Sequence, residues 1–161
     1  MSPILPTKTD LIVGVISDTH GYLSPAAMEV FKDADLIIHA GDIGKPEIIE
    51  TLQAVAPVEA VKGNMDMDVW AHKLPEKKLI KLGSVLLYII HDVYKINVKP
   101  SKAEISAVVH GHTHKASAIE DHHGVLFLNP GSATHPRFNS SASVALLHIK
   151  GKSLTAQLIE F

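Results

Sequence analysis

The chain has 161 residues, 46% of them hydrophobic and 20% charged, with a formal net charge of −2 and no cysteine. That length suits one domain able to bury roughly 70% of the surface its unfolded form exposes, and the composition excludes a disordered chain. Disulfides and thiolate metal sites are excluded outright, as is general electrostatic attraction to nucleic acid or to an anionic membrane.

Met1 to Asp10 carries Pro3 and Pro6 among mostly polar groups and reads as a flexible tail. The apolar run that follows is too short for a signal peptide or a membrane span, so the expected location is cytoplasmic and residues 11–161 are the expected single domain. Leu11 to Ser17 is a β-rich apolar run that ends in Ser17-Asp18-Thr19-His20-Gly21. Ser24-Pro25 signals a helix start, with Ala26, Ala27, Val30 and Phe31 on its apolar face. Leu36 to His39 is a second strand, ending in Ala40-Gly41-Asp42. Pro46 opens another helix, with Ile48, Ile49, Leu52 and Val55 as its apolar stripe, and Val58 to Val61 is a third strand running into Gly63-Asn64. Strand, helix, strand in that order predicts parallel strands whose C-terminal ends lie side by side.

From Leu79 the texture changes. Leu79 to Leu82 and Val85 to Ile90 flank Gly83-Ser84, a hairpin signal, and the second strand ends at His91. A short helical piece is expected around Pro100 to Glu104. Then Val108-Val109-His110 runs into Gly111-His112-Thr113-His114, a buried run that projects two imidazoles in an i, i+2 relation, within reach of one metal or of two adjacent ones. Strands follow at Ala116 to Glu120, Gly124 to Leu128, Ser143 to Ile149 and Ser153 to Ile159, so the second half reads as mostly antiparallel. The expected architecture is α/β (α+β), two packed β-sheets flanked by helices.

Asp18, His20, Asp42, Asn64, His91, His112 and His114 all stand at strand ends and all are competent oxygen or nitrogen ligands. Singly, each has an ordinary explanation. His20 fits a loop and Asn64 a turn, while Asp42 could cap the helix near Pro46. Together these explanations fail, because caps and turns do not require four histidines at strand ends. His39 and His110 read as hydrogen-bonded core or ligand-supporting residues. His122 and His123 read as exposed, and Trp70 as packed rather than binding.

With Asp18-Thr19-His20, Gly41-Asp42, Gly63-Asn64, His91, Gly111-His112-Thr113-His114 and Asn129-Pro130-Gly131-Ser132 in this order, the chain resembles a calcineurin-like metallophosphoesterase of the small bacterial and archaeal phosphodiesterase (YfcE-like) type. The resemblance implies an αββα sandwich and two divalent metals, manganese by preference and iron, nickel, cobalt or zinc as alternatives. It places a bridging carboxylate on Asp42, with Asp18, His20 and His114 completing the first metal site and Asn64, His91 and His112 the second. It implies hydrolysis of phosphodiester bonds by a metal-bridging hydroxide, two metals roughly 3.5 to 4 Å apart serving as nucleophile generator and Lewis acid. Asp42, Asn64 and His20 are then the catalytic candidates, and Asn64, His135 and Arg137 the substrate contacts. The Asn129 to Ser132 stretch becomes a loop beside the metals.

Two departures stand out. Met65 follows Asn64 where larger phosphatases of the superfamily have a histidine that protonates the leaving group, so a good leaving group or another acid is required; His135, Asp66 and His20 are the candidates. Asp92 follows His91 where the family usually has glycine, and reads either as a solvated loop carboxylate or as a partner to the metal site. Two divalent cations, two ligand aspartates and a hydroxide sum to about +1, which suits a monoanionic diester. A further carboxylate at about 6 Å costs an anion on the order of 2 to 3 kcal/mol at an effective dielectric near 20, so Asp66 and Asp92 lean towards diesters. The expected partners are a small phosphodiester substrate and, with the oligomeric state left open, further copies of the chain; no membrane and no general nucleic-acid binding is expected. The rival reading is a non-catalytic metal-binding or protein-interaction scaffold on the same fold. The seven intact ligand positions argue for the enzyme.

Overall fold

The computed structural model describes residues 8–137 and 139–161; most of the expected N-terminal tail, residues 1–7, lies outside them. Ten strands form two five-stranded sheets. The first has the order β10-β9-β1-β2-β3, from Ser153–Glu160, Ser143–Lys150, Asp10–Ile16, Leu36–His39 and Val58–Ala60. The second has the order β4-β5-β6-β8-β7, from Lys77–Leu82, Val85–Ile90, Ala107–Val109, Leu126–Asn129 and Ser117–Glu120.

The period-two alternation of each strand sorts its side chains between layers. Val13 and Val15 of β1, Leu36 and Ile38 of β2, Leu87 and Ile89 of β5, Val109 of β6 and Leu147 of β9 meet in one core between the sheets. The opposite face of the first sheet, with Ile16, Ile37 and Val144, takes helices α1 (Pro25–Val30) and α2 (Pro46–Gln53) through Ala27, Ile48 and Leu52, together with Phe31 just beyond α1. Ser24 caps α1 by accepting the Ala27 N–H. A buried Leu or Ile in such a core contributes about 1.5 to 3 kcal/mol, so Leu147→Ala is expected to cost about 2 to 5 kcal/mol.

β1, β2 and β3 are parallel, as expected, and so are β5, β6 and β8. The second half is mostly antiparallel, as expected, with β5, β6 and β8 as its parallel part: hairpins β4–β5, β7–β8 and β9–β10 are antiparallel, and the last joins the N-terminal sheet by pairing β9 antiparallel with β1. The helix expected over Pro100 to Glu104 is a single turn, closed by Lys102 and Ala103 N–H on the Lys99 carbonyl and ended by Glu104 at φ 59°. Five residues give too few hydrogen bonds to offset helix nucleation. The outer face of the second sheet, with Tyr88, Ile90 and Val108, is covered by this irregular segment through Val93, Ile96 and Ile105. No helix among the described residues is long and apolar enough to cross a membrane.

Candidate metal centre

The loops after β1, β2, β3, β5, β6 and β8 converge at one end of the sandwich. Asp18 N–H donates to the Gly41 carbonyl, Gly111 N–H to that of His91, and Ala133 N–H to that of Ser17, which ties five of these loops together. At their meeting point Asp18 Oδ1 lies 3.2 Å from His114 Nε2 and 3.8 Å from both His20 Nε2 and His91 Nε2. Asp42 Oδ2 lies 3.3 Å from His91 Nε2 and 3.9 Å from His20 Nε2. Two overlapping donor groups result, Asp18 with His20 and His114, and Asp18 with Asp42 and His91, each with its ligand atoms within 4.8 Å of one another. Asp18, rather than Asp42, is thus common to both, while Asp42 reaches His20 as well as His91.

The remaining atoms of these side chains are committed elsewhere, which aims the free ones inward. His91 Nδ1–H donates to the Ala40 carbonyl at 2.7 Å, and His114 Nδ1–H to the His135 carbonyl at 2.6 Å. Each ring is thereby held in the tautomer that leaves Nε2 bare, the usual way to orient an imidazole ligand. Asp18 Oδ2 accepts from Ser17 Oγ–H and His112 N–H, and Asp42 Oδ1 accepts from Met65 N–H. Asp18 Oδ1 and His91 Nε2 are left buried with no hydrogen-bond partner among the described residues. Bare nitrogen lone pairs facing carboxylate oxygens at 3.2 to 3.3 Å repel unless a proton or a cation lies between. The donor set therefore fits a divalent cation of the borderline class. Burial alone would pull the His91 imidazole down, but the Asp42 and Asp18 carboxylates outweigh it and raise it above its ordinary value. At His20 burial wins over the same carboxylates and lowers it. The field that holds a proton on His91 is one that a metal would use in displacing it.

Five expected ligands sit in the left-handed region: Asp18 at φ 55°, His20 at 46°, Asp42 at 55°, His112 at 73° and His114 at 61°. Each costs on the order of 1 to 3 kcal/mol, less for Asp and His than for branched residues, and such strain collects where geometry serves function. The backbone packs too closely for alternatives. A Cβ on Gly111 would lie 2.0 Å from Ser17 Oγ, and one on Gly63 would lie 2.1 Å from Asp42 Oδ1.

Asn64 and His112 are brought together, Oδ1 to Nδ1 at 3.1 Å, and the His112 ring meets that of His91 edge-on at 5.2 Å between centroids. They border the cluster on its solvent side without entering either tight donor group. Asp92 caps a short turn by accepting Tyr94 N–H with Oδ1, and turns Oδ2 towards His112 Nε2 at 4.0 Å. His135 is exposed, its ring edge-on to His20 at 5.2 Å. Arg137 is exposed on the same loop, and no described hydrogen bond or ion pair links its guanidinium to the cluster.

Asp66 is a correction. It is buried and accepts from the backbone N–H groups of Ile43, Gly44 and Gly63, so it fastens the two loops that carry Asp42 and Asn64 and faces no leaving group. Asp42 does not cap α2, whose N-cap is Lys45. Sequence reasoning placed the Asn129 to Ser132 stretch beside the metals without saying what it holds, and it missed the supporting roles of Ser17, Thr19 and Thr134. Ser132 Oγ and Thr134 Oγ1 donate to the Asp18 carbonyl, and Asn129 Nδ2 to Gly111 O and Thr113 Oγ1. The Asn129 to Ser132 stretch thus braces Asp18 and the Gly111 to His114 loop. His39 is fully buried: Thr19 Oγ1–H donates to Ile43 O and so must accept from His39 Nε2–H, while His39 Nδ1 accepts Gly41 N–H. Burial holds this neutral imidazole down to about 3. His110 is buried, but its Nδ1 has no hydrogen-bond partner among the described residues; His122 and His123 are exposed, as expected, and Trp70 packs against the α2 side of the core.

The sequence model of the calcineurin-like phosphoesterase superfamily domain matches residues 11–152. The chain belongs to this superfamily. It is 36% identical to a probable metallophosphoesterase of Methanocaldococcus jannaschii, over 92% of this chain and 81% of that one. A probable metallophosphoesterase of Methanothermobacter thermautotrophicus is 34% identical over 92% of each chain. Among solved structures, a conserved Streptococcus pneumoniae protein named as a predicted phosphoesterase superposes with a TM-score of 0.74 at 25% identity, covering 94% of this chain and 90% of that one. The fold alone is shared with Vps29 of Chaetomium thermophilum, at 16% identity and a TM-score of 0.74 over 94% of this chain and 97% of that one.

Proposed function

We propose that this protein hydrolyses phosphodiesters with two divalent cations, manganese being the preferred metal. The observation that carries the reading is the pair of buried, partnerless ligand atoms, Asp18 Oδ1 and His91 Nε2, facing a second carboxylate and two further imidazoles. Asp18, His20, Asp42 and His114 would hold one cation, and Asp42, Asn64, His91 and His112 the other. The bridging role stays with Asp42, as the family resemblance implies; its Oδ2 faces ligand nitrogens of both sets, His20 and His91, a position Asp18 Oδ1 shares. When bound, the cations supply water activation and neutralise the phosphoryl oxygens.

The reaction adds water across one P–O ester bond: the water oxygen ends on phosphorus, and a proton leaves with the departing alcohol. With Asp66 committed to backbone and His20 in the cluster, His135 remains at the mouth as the imidazole within reach of a substrate oxygen. Asp92 beside His112 supports a diester over a monoester, since its charge penalises a second negative charge on the phosphoryl group. The test is a panel of diesters and monoesters assayed after chelation and after re-addition of single metals. Chelator-sensitive hydrolysis with diesters faster supports the reading, and faster monoester hydrolysis overturns its substrate half. Vps29 shows that other proteins use this fold, but the intact ligand set here favours catalysis over a scaffold role.

A further inference from the structure

Beside the candidate metal centre, on its Asn64–His112 side, opens a cleft of about 400 Å³ whose wall includes Asn64, His91 and His112 themselves. Its charged lining is Lys62, Lys77 and Lys95 against Glu76 and Asp92. Topology places these lysines around one half of the site. Lys62 immediately precedes Gly63-Asn64, Lys77 pairs across the β4–β5 hairpin with Ile90, the residue before His91, and Lys95 lies on the turn that Asp92 caps. Among the described residues none of the three ammonium groups is in an ion pair; Lys77 Nζ donates only to Asn97 Oδ1, at 3.3 Å. Asp92 spends one oxygen on Tyr94 N–H and turns the other towards His112. Three lysines against Glu76 and Asp92 leave the lining with a net charge of +1, held outside a centre that on the proposed reading receives the scissile phosphoryl group, so positive charge remains for a second anionic group. An overall net charge of −2 makes this local excess a feature of the cleft rather than of the surface at large.

We propose that the cleft is a subsite for an anionic arm of the substrate, so that the preferred diesters carry a further phosphate on one ester arm. The proposal rests on the phosphodiesterase reading for its scissile bond. Asp92 acts on the phosphoryl group at the centre, and the lysines act on the second phosphate farther out. Lysine suits this task because a flexible point charge can follow a phosphate whose distance from the scissile bond varies.

The test compares two substrates with the same scissile bond, thymidine 5′-(p-nitrophenyl phosphate) and its 3′-phosphorylated form, using metal-loaded protein. Wild type is expected to prefer the 3′-phosphorylated form, and the preference to shrink as salt is raised. The variant K62M/K77M/K95M, which keeps the aliphatic stems, should lose about 10- to 30-fold in kcat/KM on the 3′-phosphorylated substrate and less than about twofold on the other, the sum of three partly exposed charge contacts. K62R/K77R/K95R should restore most of the preference. Calorimetric binding of thymidine 3′,5′-bisphosphate against thymidine 5′-phosphate gives the same comparison without turnover, and so still tests the cleft if diester hydrolysis itself is absent. Equal losses on both substrates, or no loss of bisphosphate binding in the methionine variant, would overturn the proposal.

Discussion

Asp18, Asp42, His91 and His114 are at most 7% exposed, whereas Asn64 is exposed and the His112 side chain is 40% exposed. The buried half is fixed many times over: every ligand there has its non-ligand atom or its backbone held by another loop. At the rim the backbone is anchored, by His112 N–H on Asp18 Oδ2 and by Asp66 on Gly63 N–H, but the side chains are held only by the Asn64–His112 contact and the turn of Asp92 towards it. The difference assigns separate duties. Preorganised charge, which has to survive desolvation, belongs in the buried half. On the proposed reading the rim would meet parts of the substrate that vary, where looser side chains over solvent suffice.

The comparison breaks first at Asp42. Asp42→Asn removes the charge from the carboxylate nearest His91 and should lower turnover on the order of 10³-fold or more, with at least one metal lost per chain by elemental analysis. Full activity would sink the two-metal reading. Gly63→Ala is the next largest: the added Cβ collides with Asp42 Oδ1, so about 100-fold in turnover should go, since a displacement near 1 Å costs that much at a reacting centre. Gly83→Ala, where nothing lies within 4 Å, is the control that pays only the strain of its φ of 61°. At the rim, Asn64→Ala should weaken one metal by about 10- to 100-fold without moving the thermal midpoint, measurable as a raised manganese requirement.

The smallest effect separates His39 from the ligands. Unfolded, its imidazole takes a proton near 6.5; folded, it stays neutral down to about 3. Between these values the unfolded chain binds more protons, so stability rises with pH, and it falls as pH drops below about 6.5, by at most about 1.4 kcal/mol per pH unit from this group. In chelator, urea unfolding of His39→Gln should show a flatter pH dependence than wild type between pH 5 and 7. Identical slopes would show that His39 does not act as a neutral clamp between the Asp18 and Asp42 loops.

Much of this was legible in the chain. Strand positions followed from short β-rich apolar runs bounded by turn signals, and the seven ligand candidates followed from polar residues placed where apolar runs stop. Asp66 misled because a carboxylate near a motif looks alike whether it faces substrate or three backbone N–H groups; only the fold of Gly63 back onto Ile43 distinguishes them. That Ser132 and Thr134 hold Asp18 was invisible for a similar reason, the bonds spanning more than 110 residues of chain. The turn at Pro100 looked helical because local propensity carries no information about how short the covering segment must be.

By itself the sequence determined the strand ends, the donor types and their order, because periodicity and residue chemistry are local properties. The tertiary structure alone decided that β9 returns to pair with β1, that Asp18 stands between three imidazoles, and that Lys62, Lys77 and Lys95 line one cleft. Those are relations between segments distant along the chain, set by which apolar faces bury one another, and no local pattern records them.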